Sequence, residues 1–184
     1  MGRALYFRRV LLAHVYLFIH ILFATILVGS NFFLELIFNR RLKLIPPASQ
    51  MILSAAVGLD MAILNWIALI GLSISGLLYL NEFNMFWSLF SIEFYNISYG
   101  RTLLVAILIV VALFVNGGLM TFYYRPRLVR RLSPKEASEV DVAKMTTEQA
   151  KLSKRLAYHV HFNFIASITV LVLMVSLSRL GGIL

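Results

Sequence analysis

The chain contains four long apolar stretches that are separated by shorter polar or mixed segments. Each stretch exceeds the ~20 residues that a helix needs to cross a bilayer, and none alternates like a half-buried strand. We therefore predict an all-α integral membrane protein with four transmembrane helices in an antiparallel bundle. The predicted spans are about 10–38, 51–80, 102–123 and 157–180, in one membrane domain that covers residues 1–184.

Prolines and capping residues indicate what lies between the spans. The proline pair at 46–47 ends the first span, because proline blocks a helix. Serine and proline at 133–134 predict a short polar helix near 134–145. A capping box at 146–149 predicts a second helix that continues without a break into the fourth span. Residues 124–156 are thus predicted to form an amphipathic helical linker.

Basic residues set the predicted orientation. The 124–156 segment carries nine arginines and lysines, and the 39–50 loop is basic as well. Because basic loops stay in the cytoplasm, we place both there and the two termini outside, in the inner membrane of a prokaryotic cell. The aromatic 81–101 loop then also lies outside, where a short helix on the membrane surface is expected.

Composition supports a membrane protein and limits which residues could bind a metal or a redox cofactor. The chain is 60% hydrophobic and 14% charged, whereas a soluble domain is about half apolar. We attribute its formal charge of +9 to basic loops that stay in the cytoplasm rather than to nucleic-acid binding. There is no cysteine, which excludes disulfides, thiolate metal sites and cysteine-bound iron–sulfur clusters. Metal or redox chemistry would need histidine, carboxylate, methionine or a bound cofactor.

Ionisable residues at membrane depth are costly, so each is a candidate functional residue. The rise of ~1.5 Å per helical residue sorts these candidates into two levels. The outer level comprises His14, His20 and Arg101. The inner level comprises Glu35, Asp60, His159, His161 and Asn163.

Helical spacing also predicts which candidates face the interior. His20 and Glu35 lie on one stripe of small or polar residues, whereas His14 lies about 120° away from His20. On the fourth span, a stripe through His159 is predicted to point inward and His161 to be more peripheral. On the second span, Asp60 shares a face with Ser75, and Asn65 lies elsewhere.

Depth limits how these histidines could hold a haem. His20 and His161 are separated by roughly 15–20 Å along the membrane normal. One haem clamped between the first and fourth helices is therefore disfavoured. A haem at the outer level would have His20 or His14 on one side, with a second ligand that is not histidine, is absent or comes from another chain.

Each candidate also has a structural interpretation. A histidine in an apolar helix can simply hydrogen-bond a neighbouring helix. Glu35 and Asp60 can pair with arginines near the inner helix ends, and Arg101 can anchor its helix by reaching the interface.

The order of features resembles a known membrane unit. The features are His20 followed by an apolar run to Gly29, the glycines of the segment 71–76, Gly100-Arg101 at the start of the third span, and Asn163. They are similar to the four-helix unit of the CopD copper-resistance proteins and of HemJ, the haem-binding protoporphyrinogen oxidase. The resemblance implies that His20 and Arg101 act as a pair at a haem. Arginine replaces the lysine of HemJ-like proteins, which favours contact with a haem propionate over proton transfer.

Three functions follow as hypotheses. The first is a haem b-binding oxidoreductase in electron transfer or porphyrin oxidation, alone or as a subunit of a respiratory complex, with His20 or His14 as axial ligand. The second is transport of copper, the cargo that the resemblance implies, or of another metal, along a path lined by the inner carboxylates and by histidines that include His20, His159 and His161. The third is a non-catalytic structural subunit that assembles with copies of itself or with a larger membrane complex.

Overall fold

The computed structural model describes residues 2–124, 126–127 and 147–180, and these ranges contain no strand. The α-helices are α1 (Gly2–Phe32), α2 (Asn39–Leu42), α3 (Pro47–Glu82), α4 (Ser98–Gly118) and α5 (Thr147–Leu180). Two π-helical turns, Phe33–Phe38 and Leu119–Tyr124, follow α1 and α4. Two short 3-10 helices, Trp87–Phe90 and Ile92–Asn96, join α3 to α4.

The prediction of an all-helical chain with four long apolar helices is confirmed. The segments long and apolar enough to cross a membrane are Phe7–Leu42, Ala56–Glu82, Ser98–Tyr124 and Arg155–Leu177. The helix predicted to run unbroken into the fourth span is also present, because α5 begins at Thr147. The helix predicted near 134–145 lies outside the described residues.

Small residues form much of the core. The buried cluster comprises Ala24, Leu27, Ala68, Leu69, Leu72, Leu113, Ala166 and Val170. Large apolar side chains are instead exposed along the outer faces of all four long helices. Soluble monomers rarely expose such extensive apolar surface, whereas helices in lipid pack through small residues and leave large ones outside. The exposed apolar surface is compatible with helices that are long and apolar enough to cross a membrane.

Contacts between α1 and α3 fix their relative direction. His20 hydrogen-bonds to Leu72, and Ser30 hydrogen-bonds to Asn65. Between them, the ring of Phe23 lies against Gly71. The α3 partner moves back along the sequence as α1 advances, so the two helices run in opposite directions. We keep the name outer end for the end where α1 begins and α3 ends, and inner end for the opposite one.

The predicted inward stripes are confirmed on two helices. Asn31, on the His20 stripe of α1, is 1% exposed, and Asn163 and Ser167 on α5 are buried. His161 is exposed, as expected for the peripheral position.

The predicted face of α3 is confirmed for Ser75, which is buried, but is wrong for Asp60. Asp60 is exposed, whereas Asn65 hydrogen-bonds to α1. The reason is that α3 buries Ala68, Leu69 and Leu72, which lie three, four and seven residues after Asn65 and therefore share its face.

Tight packing at the start of α4 gives a test of the fold. A Cβ at Gly100 would overlap the carbonyl oxygen of Phe94, whereas one at Gly58, within α3, would meet nothing within 4 Å. Gly100→Ala should therefore destabilise the protein by about 1–3 kcal/mol, and Gly58→Ala should change stability by less than ~1 kcal/mol. Thermal unfolding of both variants in detergent, followed by circular dichroism, measures this. Equal midpoints would contradict the packing.

Candidate functional site

His20 is held by α3. Its imidazole lies against Gly76, where an added Cβ would come within 2.9 Å of the ring. Nδ1 is 2.8 Å from the carbonyl oxygen of Leu72 and 3.2 Å from Oγ of Ser75. The Ser75 hydroxyl donates to the Gly71 carbonyl oxygen at 2.6 Å, so its lone pairs are free to accept. Because a carbonyl oxygen only accepts, Nδ1 of His20 carries the hydrogen.

The consequence is a free lone pair on the other ring nitrogen. A neutral imidazole that donates through Nδ1 has an acceptor lone pair at Nε2. No residue in the described ranges is hydrogen-bonded to Nε2 of His20. Metal-ligating histidines commonly have their other ring N–H bonded to a carbonyl in this way, which fixes the tautomer and the ring orientation.

His14 lies away from this site. It is exposed, and its Nδ1 donates to the Val10 carbonyl oxygen of its own helix at 2.7 Å. The structure therefore does not bring His14 and His20 together, as their angular separation predicted. Nε2 of His14 has no hydrogen-bond partner among the described residues and faces outward.

Arg101 lies exposed in the first turn of α4. Its guanidinium makes no hydrogen bond or ion pair with any residue that the structure describes. The pairing of His20 with Arg101 implied by the resemblance is thus not a direct contact. Both residues nevertheless lie in the outer halves of the apolar segments Phe7–Leu42 and Ser98–Tyr124.

The inner end contains a chain of amides between α4 and α5. Nδ2 of Asn116 donates to Oδ1 of Asn163 at 2.6 Å and to the His159 carbonyl oxygen at 3.1 Å. Nδ1 of His159 donates to Oδ1 of Asn116. Nδ2 of Asn163 points at Sδ of Met120, 3.6 Å away, and the ring of Tyr124 lies 4.8 Å from that of His159. Asn116 is thus bonded through both ends of its amide.

Glu35 pairs with the peripheral histidine. Its Oε1 lies 3.1 Å from Nδ1 of His161, and its Oε2 accepts from Asn39 at 3.4 Å. Glu35 lies on the first π-helical turn. Glu35 lies fifteen residues after His20 in the first helical segment, which corresponds to roughly 22 Å along the helix axis. His161, which contacts Glu35, therefore lies that much deeper in the bundle than His20. The prediction that the two histidines lie at different depths is confirmed.

Asp60 does not join this inner group. It is exposed on α3 and forms no ion pair with any residue in the described ranges. The inner candidates therefore form two groups, Glu35 with His161 and His159 with Asn163. Asp60 belongs to neither group.

Sequence reasoning missed most of the polar contacts that connect the four long helices. Asn65 accepts from Ser30 at 2.5 Å and donates to Asn31 at 3.5 Å. Nε1 of Trp66 donates to Thr121 at 3.1 Å. The signal was available, because each long apolar helix carries one asparagine at a similar depth. We call this set the asparagine layer: Asn31, Asn65, Asn116 and Asn163.

The asparagine layer, together with neighbouring aromatic side chains, links each long helix to the next. Asn31 and Asn65 connect α1 to α3, and Trp66 connects α3 to the turn after α4. The Asn116–Asn163 bond connects α4 to α5. Next to it, the rings of Phe32 and Phe164 are 6.2 Å apart and bring α5 back to α1. All four long helices are therefore linked at one level.

No group of three or more histidine, aspartate or glutamate side chains converges within the described ranges. Comparisons of the chain with protein-family models, with curated proteins and with solved structures found no match. The geometry of the site is therefore the basis for a function.

The Asn116–Asn163 bond gives a test of the layer. Replacing either residue by alanine leaves the other amide buried with lost partners, which costs about 1–3 kcal/mol. The double variant should be less destabilised than the sum of the singles, by about 0.5–1.5 kcal/mol. Unfolding of the wild type, both singles and the double in detergent measures this coupling. Strict additivity would show that the bond contributes nothing.

Proposed function

We propose that the chain is an integral membrane protein whose four long helices cross the bilayer as an antiparallel bundle. Helix length, the exposed apolar faces and the opposite directions of α1 and α3 support this. The basic 39–50 and 124–156 segments would lie in the cytoplasm, both termini outside, and the membrane would be the inner membrane of a prokaryotic cell.

The absence of cysteine makes this topology directly testable. Glu93→Cys places one thiol in the exposed outer connection, and Lys43→Cys places one in the inner loop. In intact spheroplasts, a membrane-impermeant maleimide should label the Glu93→Cys variant and label the Lys43→Cys variant only after lysis. The reverse pattern would invert the orientation, and labelling of both before lysis would contradict membrane spanning.

We propose further that the protein binds haem b with His20 as an axial ligand. The observation that carries this is the Nδ1 hydrogen bond to Leu72, because it leaves Nε2 with a free lone pair. The carbonyl contact also raises the basicity of the ring as a ligand. Ser75 and Gly76 hold the imidazole in that orientation.

The donor set suits haem better than a bare metal ion. A divalent ion such as zinc, when held only by the protein, takes three or four side-chain ligands, and no group of three histidine or carboxylate side chains converges among the described residues. Iron in haem needs only one or two axial ligands from the protein. Copper transport therefore receives no support from the described residues, whereas a single oriented histidine is enough for haem.

Arg101 would contribute the second contact. Its exposed guanidinium, unpaired within the described ranges, suits a propionate carboxylate. Arginine does not release its proton at ordinary pH. Electron transfer is therefore favoured over porphyrin oxidation, which needs groups that accept protons. Haem, when bound, would supply the one-electron redox chemistry.

An absorption spectrum tests the haem proposal. Wild-type protein expressed with added haem precursor should show a Soret band, and His20→Ala should lower haem occupancy about tenfold or more. His161→Ala is the matched control, because it removes an exposed histidine at the other end of the bundle. A wild-type protein without a Soret band, or equal occupancy in His20→Ala, would refute haem binding at His20.

A second candidate is a non-catalytic subunit of a membrane complex or homo-oligomer. It is favoured by an apolar groove of about 390 Å³ on the outside of α4 and α5. The groove is lined by small and branched side chains, among them Ala112, Ala166 and Thr169. Such surfaces let a further transmembrane helix approach closely. A haem-free protein that co-purifies with partners in mild detergent would favour this function.

A further inference from the structure

The outer end of the bundle contains a polar cavity that the histidine site does not use. Its volume is about 310 Å³, several times the ~30 Å³ that one water occupies in the liquid. It lies between the start of α1 and the end of α3. The lining residues are Arg8, Arg9, Leu12, Asn81, Glu82 and Asn84.

The cavity forms because the tightly packed part of α1 and α3 ends just below it. Ala13 and Leu80 are the buried residues nearest the outer end on the two helices, among the side chains described. Beyond Leu80 the chain turns sharply. Asn84 adopts φ 56°, and the Met85 N–H donates to the Leu80 carbonyl oxygen at 2.9 Å. This is a Schellman ending, in which asparagine tolerates the left-handed conformation.

The charge of the cavity favours an anion. Arg8 and Arg9 are exposed, and neither makes an ion pair with another residue of the described ranges. Glu82 contributes one carboxylate, so the described lining carries two positive charges and one negative charge. The planar guanidinium matches a phosphate with two parallel hydrogen bonds. A ligand with a phosphate and one net negative charge would balance this lining.

The position of the cavity favours a lipid over a free phosphate ion. Just after Asn84 in the chain, the connection to α4 exposes Trp87, Phe90 and Ile92, which are 75%, 74% and 85% accessible. Aromatic side chains of this kind settle at the headgroup level of a bilayer. On the other side, Leu12 lines the cavity, and Phe7 on the same helix is exposed. A phosphate bound here would thus have apolar surface beside it for acyl chains.

We propose that this cavity binds the headgroup of one anionic phospholipid of the phosphatidylglycerol type. Arg8 and Arg9 hold the phosphate, and Asn81 and Asn84 offer amides to the headgroup hydroxyls. The proposal rests on the membrane placement of the bundle and is independent of haem binding. A bound lipid would close the outer end between α1 and α3.

Native mass spectrometry of the full chain, released from nanodiscs that mix phosphatidylglycerol and phosphatidylcholine, tests the site. The wild type should retain one phosphatidylglycerol. Arg8→Gln and Arg9→Gln should each weaken retention about fivefold, from the loss of one basic residue near the membrane surface. Glu82→Gln should strengthen it. Arg179→Gln is the matched control, since Arg179 is an exposed arginine at the end of α5, and it should change nothing.

Several results would overturn the proposal. Equal losses in the Arg9→Gln and Arg179→Gln variants would show attraction by net charge alone. Preferential retention of phosphatidylcholine, weakened by Glu82→Gln, would show a zwitterionic ligand instead. Displacement of the lipid by inorganic phosphate at equal concentration would assign the cavity to a free anion. A wild-type protein that is extracted only by detergent but retains no phosphatidylglycerol would refute this site and leave the membrane placement standing.

Discussion

The packing of this protein depends on pairing the amides of the asparagine layer within an apolar bundle. Apolar surroundings offer an amide no hydrogen-bond partner, so each buried asparagine must find one on a neighbouring helix or on its own backbone. Asn116 and Asn163 satisfy each other, and Asn65 meets Ser30 and Asn31. Sliding one helix by a turn would separate these groups, because a turn is ~5.4 Å long. The layer therefore sets the register of the helices.

That register determines which residues contact His20 towards the outer end of the bundle and His161 at the inner end. With Asn31 opposite Asn65, α1 and α3 bring His20 against the glycine at position 76 and under the Leu72 carbonyl. With Phe32 beside Phe164, α5 brings His161 to Glu35. The histidines of α1 and α5 are thus kept at separate depths by the same contacts that hold the helices together. The proposed haem at His20 would therefore take no second histidine from α5.

Much of the fold was predictable because it depends on local patterns. Length and apolarity gave the four long helices, and spacing gave the inward stripes of α1 and α5. The residues that face each other across helices were harder to predict. On α3, spacing identified Ser75 but wrongly grouped Asp60 with it, because the alanine and leucines that α3 buries share the face of Asn65. Glu35 was placed at one level with Asp60, His159 and His161, but spacing alone did not show that His161 is the one it contacts, from a π-helical turn at Phe33–Phe38. Nothing in the local sequence marks either π-helical turn.

The central chemical proposal is that Nε2 of His20 binds haem iron. A cavity variant tests it most directly. His20→Gly should lose the haem, and free imidazole should restore both the Soret band and an iron–histidine-like stretching band in resonance Raman spectra, because the small ligand enters the space left beside Gly76 and Ser75. Haem that stays bound in His20→Gly without imidazole, with an unchanged Raman spectrum, would contradict His20 as the ligand.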